Sequence, residues 1–269
     1  MNILFSQLFS ALRVEFQKIR CSKTLWLTIL AFLLATGIGG LFMYIMKDPE
    51  RAPQLGIIGA KAQILSSTAD WPTFFNLMFL LVSIGGLIIF GFIFVWIFGR
   101  EYSDKTYCDL LSLPTSRVTI VIAKIITAAY WSMALILLGF VIMLGIAAIL
   151  QLPGWSSATA IHGLAMLLGI GGLTVLTCIP FALIASAVRG YLPAVGGIFL
   201  VLVLGQIVNQ IGYGQYFPWN IPMMYSDAAQ ILSGKASIPL GFINYLLVVL
   251  DGVIGIVVIG AWWRYADQT

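Results

Sequence analysis

Histidine occurs once, at His162, and cysteine three times, at Cys21, Cys108 and Cys178. None of these has the spacing of a metal-ligand set, so no metal site is expected. Charged residues make up only 9% of the 269 positions, and no clustered acids or histidines suggest a catalytic centre. A phosphate-binding loop is also missing. Gly234-Lys235-Ala236-Ser237 lacks the upstream glycine and the Ser or Thr beside the lysine. The glycine pairs Gly39-Gly40, Gly85-Gly86, Gly171-Gly172 and Gly196-Gly197 have no strand around them and read as helix-packing features. ATP hydrolysis by this chain is therefore not expected.

What the chain has in abundance is apolar length. Hydrophobic residues account for 61% and the mean hydropathy is +1.03, more than a water-soluble core can hide. Six runs reach the roughly 20 residues needed to cross hydrocarbon: 25–46, 74–98, 120–150, 161–188, 192–211 and 242–263. The fold class expected is an all-α integral membrane protein, with residues 1–24 as an amphipathic interfacial helix and 25–269 as a six-helix domain. Arg13, Lys18, Arg20, Lys23, Arg100, Lys105, Arg117, Lys124, Arg189 and Arg264 fall on one side of these spans, and Lys47, Arg51, Lys61 and Lys235 on the other. The positive-inside rule then puts both termini in the cytoplasm. Cys21 and Cys108 face that reducing compartment and Cys178 lies within a span, so no structural disulfide is expected. The net charge of +4 serves orientation here, and nucleic acid is not an expected partner. Trp71, Trp155 and Trp219 flank the outer ends, and Trp26, Trp96, Trp262 and Trp263 the inner ends.

The first residues do not read as a cleavable signal peptide, because the apolar run follows a charged stretch with no small-residue cleavage site. Phe5, Leu8, Phe9, Leu12, Phe16 and Ile19 share one helical face, with Ser6, Ser10, Arg13, Gln17 and Arg20 opposite. That pattern predicts a helix lying in the membrane surface; a solvated leader is the alternative. The turn at Arg189-Gly190-Tyr191 is very tight. Outer loop 47–73 has room for a short helix near 55–65. Outer loop 212–241 carries Phe217-Pro218-Trp219-Asn220-Ile221-Pro222 and a helix at 226–232; it is apolar enough to fold back on the bilayer or dip into it where protein shields its backbone.

One loop departs from the rest. Gly99-Arg100-Glu101-Tyr102-Ser103-Asp104-Lys105-Thr106 runs into Leu110-Leu111-Ser112-Leu113-Pro114-Thr115-Ser116-Arg117, a charged island (99–118) between two apolar spans. A short helix over 103–112 is expected, stopped by Pro114, with Tyr107, Leu110 and Leu111 on one face and Thr115 or Ser116 capping the next span. Such a helix either docks a soluble partner or rests on lipid. The stretch resembles the cytoplasmic loop of bacterial ABC exporter permeases of the second type: an Arg-Glu start, Leu-Leu, Ser-x-Pro, then Ser-Arg and a lysine, matched by Lys124. Lys105 stands where that family has glycine. Ala187-Val188-Arg189-Gly190-Tyr191-Leu192-Pro193 and Phe217–Pro222 resemble the bacitracin- and lantibiotic-resistance branch.

The resemblance implies a permease that pairs with separate ATPase subunits, which bind ATP and Mg, and with a second permease, identical or related. It makes 99–118 a coupling loop on the ATPase. Arg100, Glu101, Tyr102, Asp104, Thr106, Tyr107, Leu110, Leu111, Pro114 and Arg117 are its contact candidates, with Glu101 the acidic contact and the N-terminal helix a further one. It implies ATP-driven export or extraction of an amphipathic peptide antibiotic or lipid, and so resistance; export of another lipid or small hydrophobic substrate is the alternative. A lipid-modifying membrane enzyme, a scaffold and a secondary transporter are the competing classes; the single histidine and the lack of internal repeats weigh against the first and last.

Asp251 sits midway along the sixth run, where a carboxylate costs several kcal/mol unless paired or wet. It is either a substrate or coupling contact, or a hydrogen-bonded structural group. Gln206 and Asn209 in the fifth run are its candidate partners in a substrate path, or else wet interfacial residues. His162 is expected to anchor or cap the fourth run. Pro180 removes a backbone bond and kinks that run, for conformational alternation or through packing irregularity.

Overall fold

A computed structural model describes residues 2–47, 69–104, 106, 115–225 and 240–265, with side chains from residue 6 onward. Helix α1 is Asn2–Arg20. The helices α2 Lys23–Lys47, α3 Trp71–Ser103, α4 Arg117–Ile149, α5 Ser157–Ala187, α6 Leu192–Ile211 and α7 Phe242–Tyr265 are each long and apolar enough to cross a membrane. All six expected runs are present within a few residues. The largest difference is at the end of α3, which continues past 98 through Gly99–Ser103 because Gly99, Glu101 and Tyr102 pack inward rather than peel off into a loop. The expected short helices at 55–65, 103–112 and 226–232 lie outside the described residues.

Helices α3 and α5 form the centre, packed along one another. Their most apolar windows are 67% and 56% buried, against 17% for α6. Helix α6 leans on α3 and α5, α7 on α5 and α4, α2 on α4 and α3, and α1 lies along α4. Buried hydroxyls at Thr36, Thr127, Ser132, Thr174 and Ser186 each bond the carbonyl four residues back, so no polar group is left bare in the packed interior at these positions. Ser83 does the same to Phe79 within a π-helical turn, Leu81–Gly85, that interrupts α3.

Two close approaches set the packing. Gly99 lies where a Cβ would stand 2.8 Å from the backbone nitrogen of Tyr191, so α3 and the start of α6 touch backbone to side-chain-free backbone. Pro180 lies inside a continuous α5. Its ring and the Leu176 carbonyl it leaves without a helical donor both face α7, which passes them at Gly255 and Gly252. In the turn after α5 the left-handed residue is Arg189 (φ 51), not Gly190.

Capping follows the sequence in part. Ser116 caps α4, and Ser156, rather than His162, caps α5, each accepting from the backbone N–H three residues on; His162 is exposed. The tryptophans differ in exposure. Trp26, Trp155 and Trp262 are exposed, as interface residues are. Trp71 and Trp263 are instead buried, and their indole N–H groups bond the Leu152 carbonyl and the Ser186 hydroxyl.

The segment after α6 dips back into the helix assembly. Gly212 closes α6 in the left-handed conformation (φ 96). Two 3-10 turns, Gly214–Tyr216 and Pro218–Asn220, and the single turn Ile221–Met224 then wedge against α5, α6 and α7. Trp219 donates to the Thr177 carbonyl at 2.8 Å, Asn220 to Gly205 at 2.8 Å, and Asn244 to Gln215. The Gln215 carbonyl is thus satisfied by Asn244, and the Tyr216, Phe217 and Asn220 N–H groups by carbonyls within the turns. This irregular backbone finds protein partners, the condition for non-helical chain at membrane depth.

Candidate coupling site

At the cation-rich end of the helices, four charges from three elements close a ring. Lys18 of α1 lies 3.0 Å from Glu15 and 2.8 Å from Glu101 of α3. Lys124 of α4 lies 3.2 Å from Glu15 and 2.9 Å from Glu101. Glu15, Glu101 and Lys124 are 4%, 1% and 0% exposed. Charges this deep are tolerated only when paired and hydrogen-bonded, and the ring meets that condition with no net charge. Lys124 adds a bond to the Ile97 carbonyl at the end of α3, and its ammonium sits 5.9 Å from the Phe98 ring centroid. For Lys18, burial pulls the ammonium down, but attraction to Glu15 and hydrogen bonds to both carboxylates outweigh it and raise its pKa above the usual lysine value.

The island enters this ring directly. Thr106 donates its hydroxyl to the second oxygen of Glu101 at 2.7 Å and its N–H to the Glu101 carbonyl at 3.0 Å. At the island's other end, Arg117 donates to the Trp263 carbonyl of α7 at 3.2 Å. Trp263 in turn meets Phe98 and Tyr102 edge-on and bonds Ser186 of α5. Both ends of the loop are therefore fastened to the helix assembly, through α1, α3 and α4 on one side and α4, α5 and α7 on the other.

Placement of the sequence-derived candidates is mixed. Arg100 is half-buried, its guanidinium 4.7 Å from the Trp96 ring centroid. Asp104 is exposed at the C-terminal cap of α3, and Thr106 is exposed beside the ring. Tyr102 is buried against Trp263. Tyr107, Leu110, Leu111 and Pro114 lie outside the described residues. Glu101 requires a correction. It does not present its carboxylate outward as an acidic contact; α3 continues as helix past Gly99, which turns Glu101 inward onto Lys18 and Lys124. Asp251 is half-buried on α7, and its Oδ2 has no hydrogen-bond partner among the described residues. Gln206 is exposed and Asn209 half-buried on α6, whose main contacts are with α3 and α5 rather than α7. The structure therefore does not bring Gln206 and Asn209 to Asp251 Oδ2 as partners.

Nothing in the sequence alone joins Glu15 and Lys18 to the island. A local signal is present for Glu15, which shares the i, i+4, i+7, i+11 stripe Leu8, Leu12, Glu15, Ile19. That stripe, not the one through Phe9, is the face α1 buries. Phe9 is 65% exposed, and Phe16 meets Tyr130 of α4 edge-on at 5.1 Å.

A model of the ABC-2 family of transporter proteins matches residues 11–206, a stretch that holds all four charges of the ring. The chain belongs to this family. The permease is also 28% identical over 148 residues to the bacitracin transport permease protein BCRB of Bacillus licheniformis, a match covering 55% of this chain and 71% of that protein. It is thus an ABC-2 type permease related to the bacitracin branch, a multi-pass membrane protein and a transport subunit rather than an enzyme.

Proposed function

We propose that this permease is the membrane subunit of an ATP-driven exporter that moves or extracts an amphipathic peptide antibiotic or lipid and so confers resistance. Its energy comes from separate ATPase subunits that bind ATP and Mg, and it works with a second permease. The cation-rich end faces the cytoplasm, in keeping with the positive-inside rule, and both termini lie there. The island 99–118 is the surface the ATPase pushes, with Tyr107, Leu110, Leu111 and Pro114 as its contact residues. Helix α1 lies along the inner membrane surface beside it.

The observation that carries this reading is the double fastening of the island. A displacement of the loop reaches α1, α3 and α4 through Glu101 and Thr106, and α7 through Arg117. Glu101 then acts by transmitting movement, not by touching the partner. The kinship to a bacitracin transport permease supports the choice of substrate class.

The direct test is Leu111→Asp in cells that carry the partner ATPase. Co-purified ATPase and permease-stimulated ATP turnover are expected to fall together, with the permease still in the membrane fraction. Undiminished co-purification and turnover would remove the coupling role from the island.

For Asp251, the Asp251→Asn variant takes an incompletely paired carboxylate out of the middle of a span. Thermal stability in detergent is expected to rise while resistance falls, the pattern of a residue kept for transport. Full resistance at equal expression would leave Asp251 a structural group.

A further inference from the structure

A cavity of about 780 Å³ opens beside the charge ring, between α1, the half of α3 nearest the ring and the start of α6. Its wall on α3 is a single stripe, Phe92, Trp96, Arg100 and Asp104, spaced by four residues and so stacked along one face. These positions matter because α3 is otherwise the most buried helix: the residues between them are almost all buried, and the stripe itself is left open. The stripe is graded. Arg100 lies at the mouth with Lys18 facing it from α1, Trp96 is one turn deeper, and Phe92 is two turns deeper, about 12 Å along the axis.

Charge at the mouth is set up for an anion. Lys18 lines the cavity and its side chain is 25% exposed, although its ammonium also serves the ring. Arg100 is held over Trp96, and among the described residues no carboxylate forms an ion pair with it. Asp104 is the single acid in the lining, one turn outside Arg100; Lys18 shares its charge with Glu15 and Glu101, so Arg100 is the cation that carries the site. A small soluble anion has no use for the apolar depth, and a soluble protein's side chain does not reach two helical turns into a membrane span. A phosphodiester with an attached acyl chain uses both ends. Basic pockets between membrane helices on the inner face are the usual seats of anionic lipid headgroups.

We propose that this cavity is a binding site for an anionic phospholipid of the leaflet at the cation-rich end. Arg100 and Lys18 hold the phosphate, Trp96 sits at the level of the glycerol backbone, and one acyl chain runs along Phe92. The site rests on the membrane orientation proposed above only for which leaflet supplies the lipid; it is independent of ATP and of the transported substrate, so its test involves neither.

Purified full-length permease in detergent is offered equal amounts of phosphatidylglycerol and phosphatidylcholine, and retained lipid is counted by native mass spectrometry. Phosphatidylglycerol is expected to be retained preferentially. Arg100→Gln should lower its retention about fivefold, the factor for losing roughly 1 kcal/mol from one cation near a headgroup. Arg100→Lys should restore most of it, and Phe92→Trp, which fills the deep end without changing charge, should lower it as well. Lys23→Gln, an equal charge change at the exposed start of α2 and outside the lining, should leave it unchanged. The site is overturned if the two lipids are retained equally, if Lys23→Gln matches Arg100→Gln, if Phe92→Trp has no effect in a monodisperse sample, or if inorganic phosphate displaces the lipid at millimolar concentration.

Discussion

Lys124→Met is expected to release α1 from the permease. The substitution leaves Glu15 and Glu101 buried with Lys18 as their one remaining cation, and uncovers the Ile97 carbonyl that Lys124 also serves. Removing one partner of a buried ion pair costs about 3–5 kcal/mol; here two buried carboxylates are left to share Lys18, with no water to make up the missing charge. For a chain of this size the thermal midpoint in detergent should fall by about 10 °C. Proteolysis should reach the turn after Arg20 at a lower protease dose, while the six spans still insert.

Glu101→Gln should do the same by a different route. It leaves Lys18 and Lys124 facing Glu15 alone, and weakens the acceptor that holds Thr106. The double variant Glu101→Gln with Lys124→Met removes one charge of each sign and leaves Lys18 paired with Glu15, so it should recover part of the summed loss, a coupling that a double-mutant cycle measures. Additive single losses with no recovery would mean that the four charges do not act as one unit. The pH dependence has a definite sign. Lys18 has a raised pKa, so its contribution is fully present below the ordinary lysine value and is lost only as pH rises through the raised one. Docking of α1 should therefore be unchanged near neutrality and should weaken as the pH rises into strong alkali.

The second large effect is expected at Trp219. Its indole bonds the Thr177 carbonyl and its ring packs against Phe217 and Phe181. Trp219→Ala removes both, at about 3–5 kcal/mol for the lost side chain, with a further cost from the lost hydrogen bond. Trp219→Phe keeps most of the contact area and gives up the hydrogen bond, so its loss should be nearer 1–2 kcal/mol. Detergent thermal unfolding of the two variants separates the contributions. Equal stability of Trp219→Ala and the parent would show that the wedge between α5, α6 and α7 is not part of the folded core.

Much of this architecture is legible along the chain. Each span is a continuous apolar run, and the wedge at Phe217–Pro222 announces itself by aromatic content outside any run. What sequence order hides is which way a helix face turns. Glu101 carries the charge expected of a contact residue, yet its partners stand 83 and 23 positions away, and only the continued helical rotation of α3 brings them together. Phe9 and Glu15 show the same difficulty at shorter range: both belong to plausible stripes of α1, and packing on α4 selects the one that contains the acid. Pro180 reads as a kink in isolation; its place is settled by two glycines on a different helix, 72 and 75 positions later, which no local pattern ties to it.

The π-helical turn in α3 has a mechanical consequence. From Gly85 to Glu101 is 16 residues, about 24 Å of helix, and this arm is bound to α6 near its far end, where Gly99 meets Tyr191 without an intervening side chain. Pivoting at the π turn by about 5° would carry the far end through roughly 2 Å by the same helical rise, more than a hydrogen bond survives by stretching. Glu101 cannot stay behind while its helix swings: Lys18, Lys124 and the start of α6 either travel with it or let go.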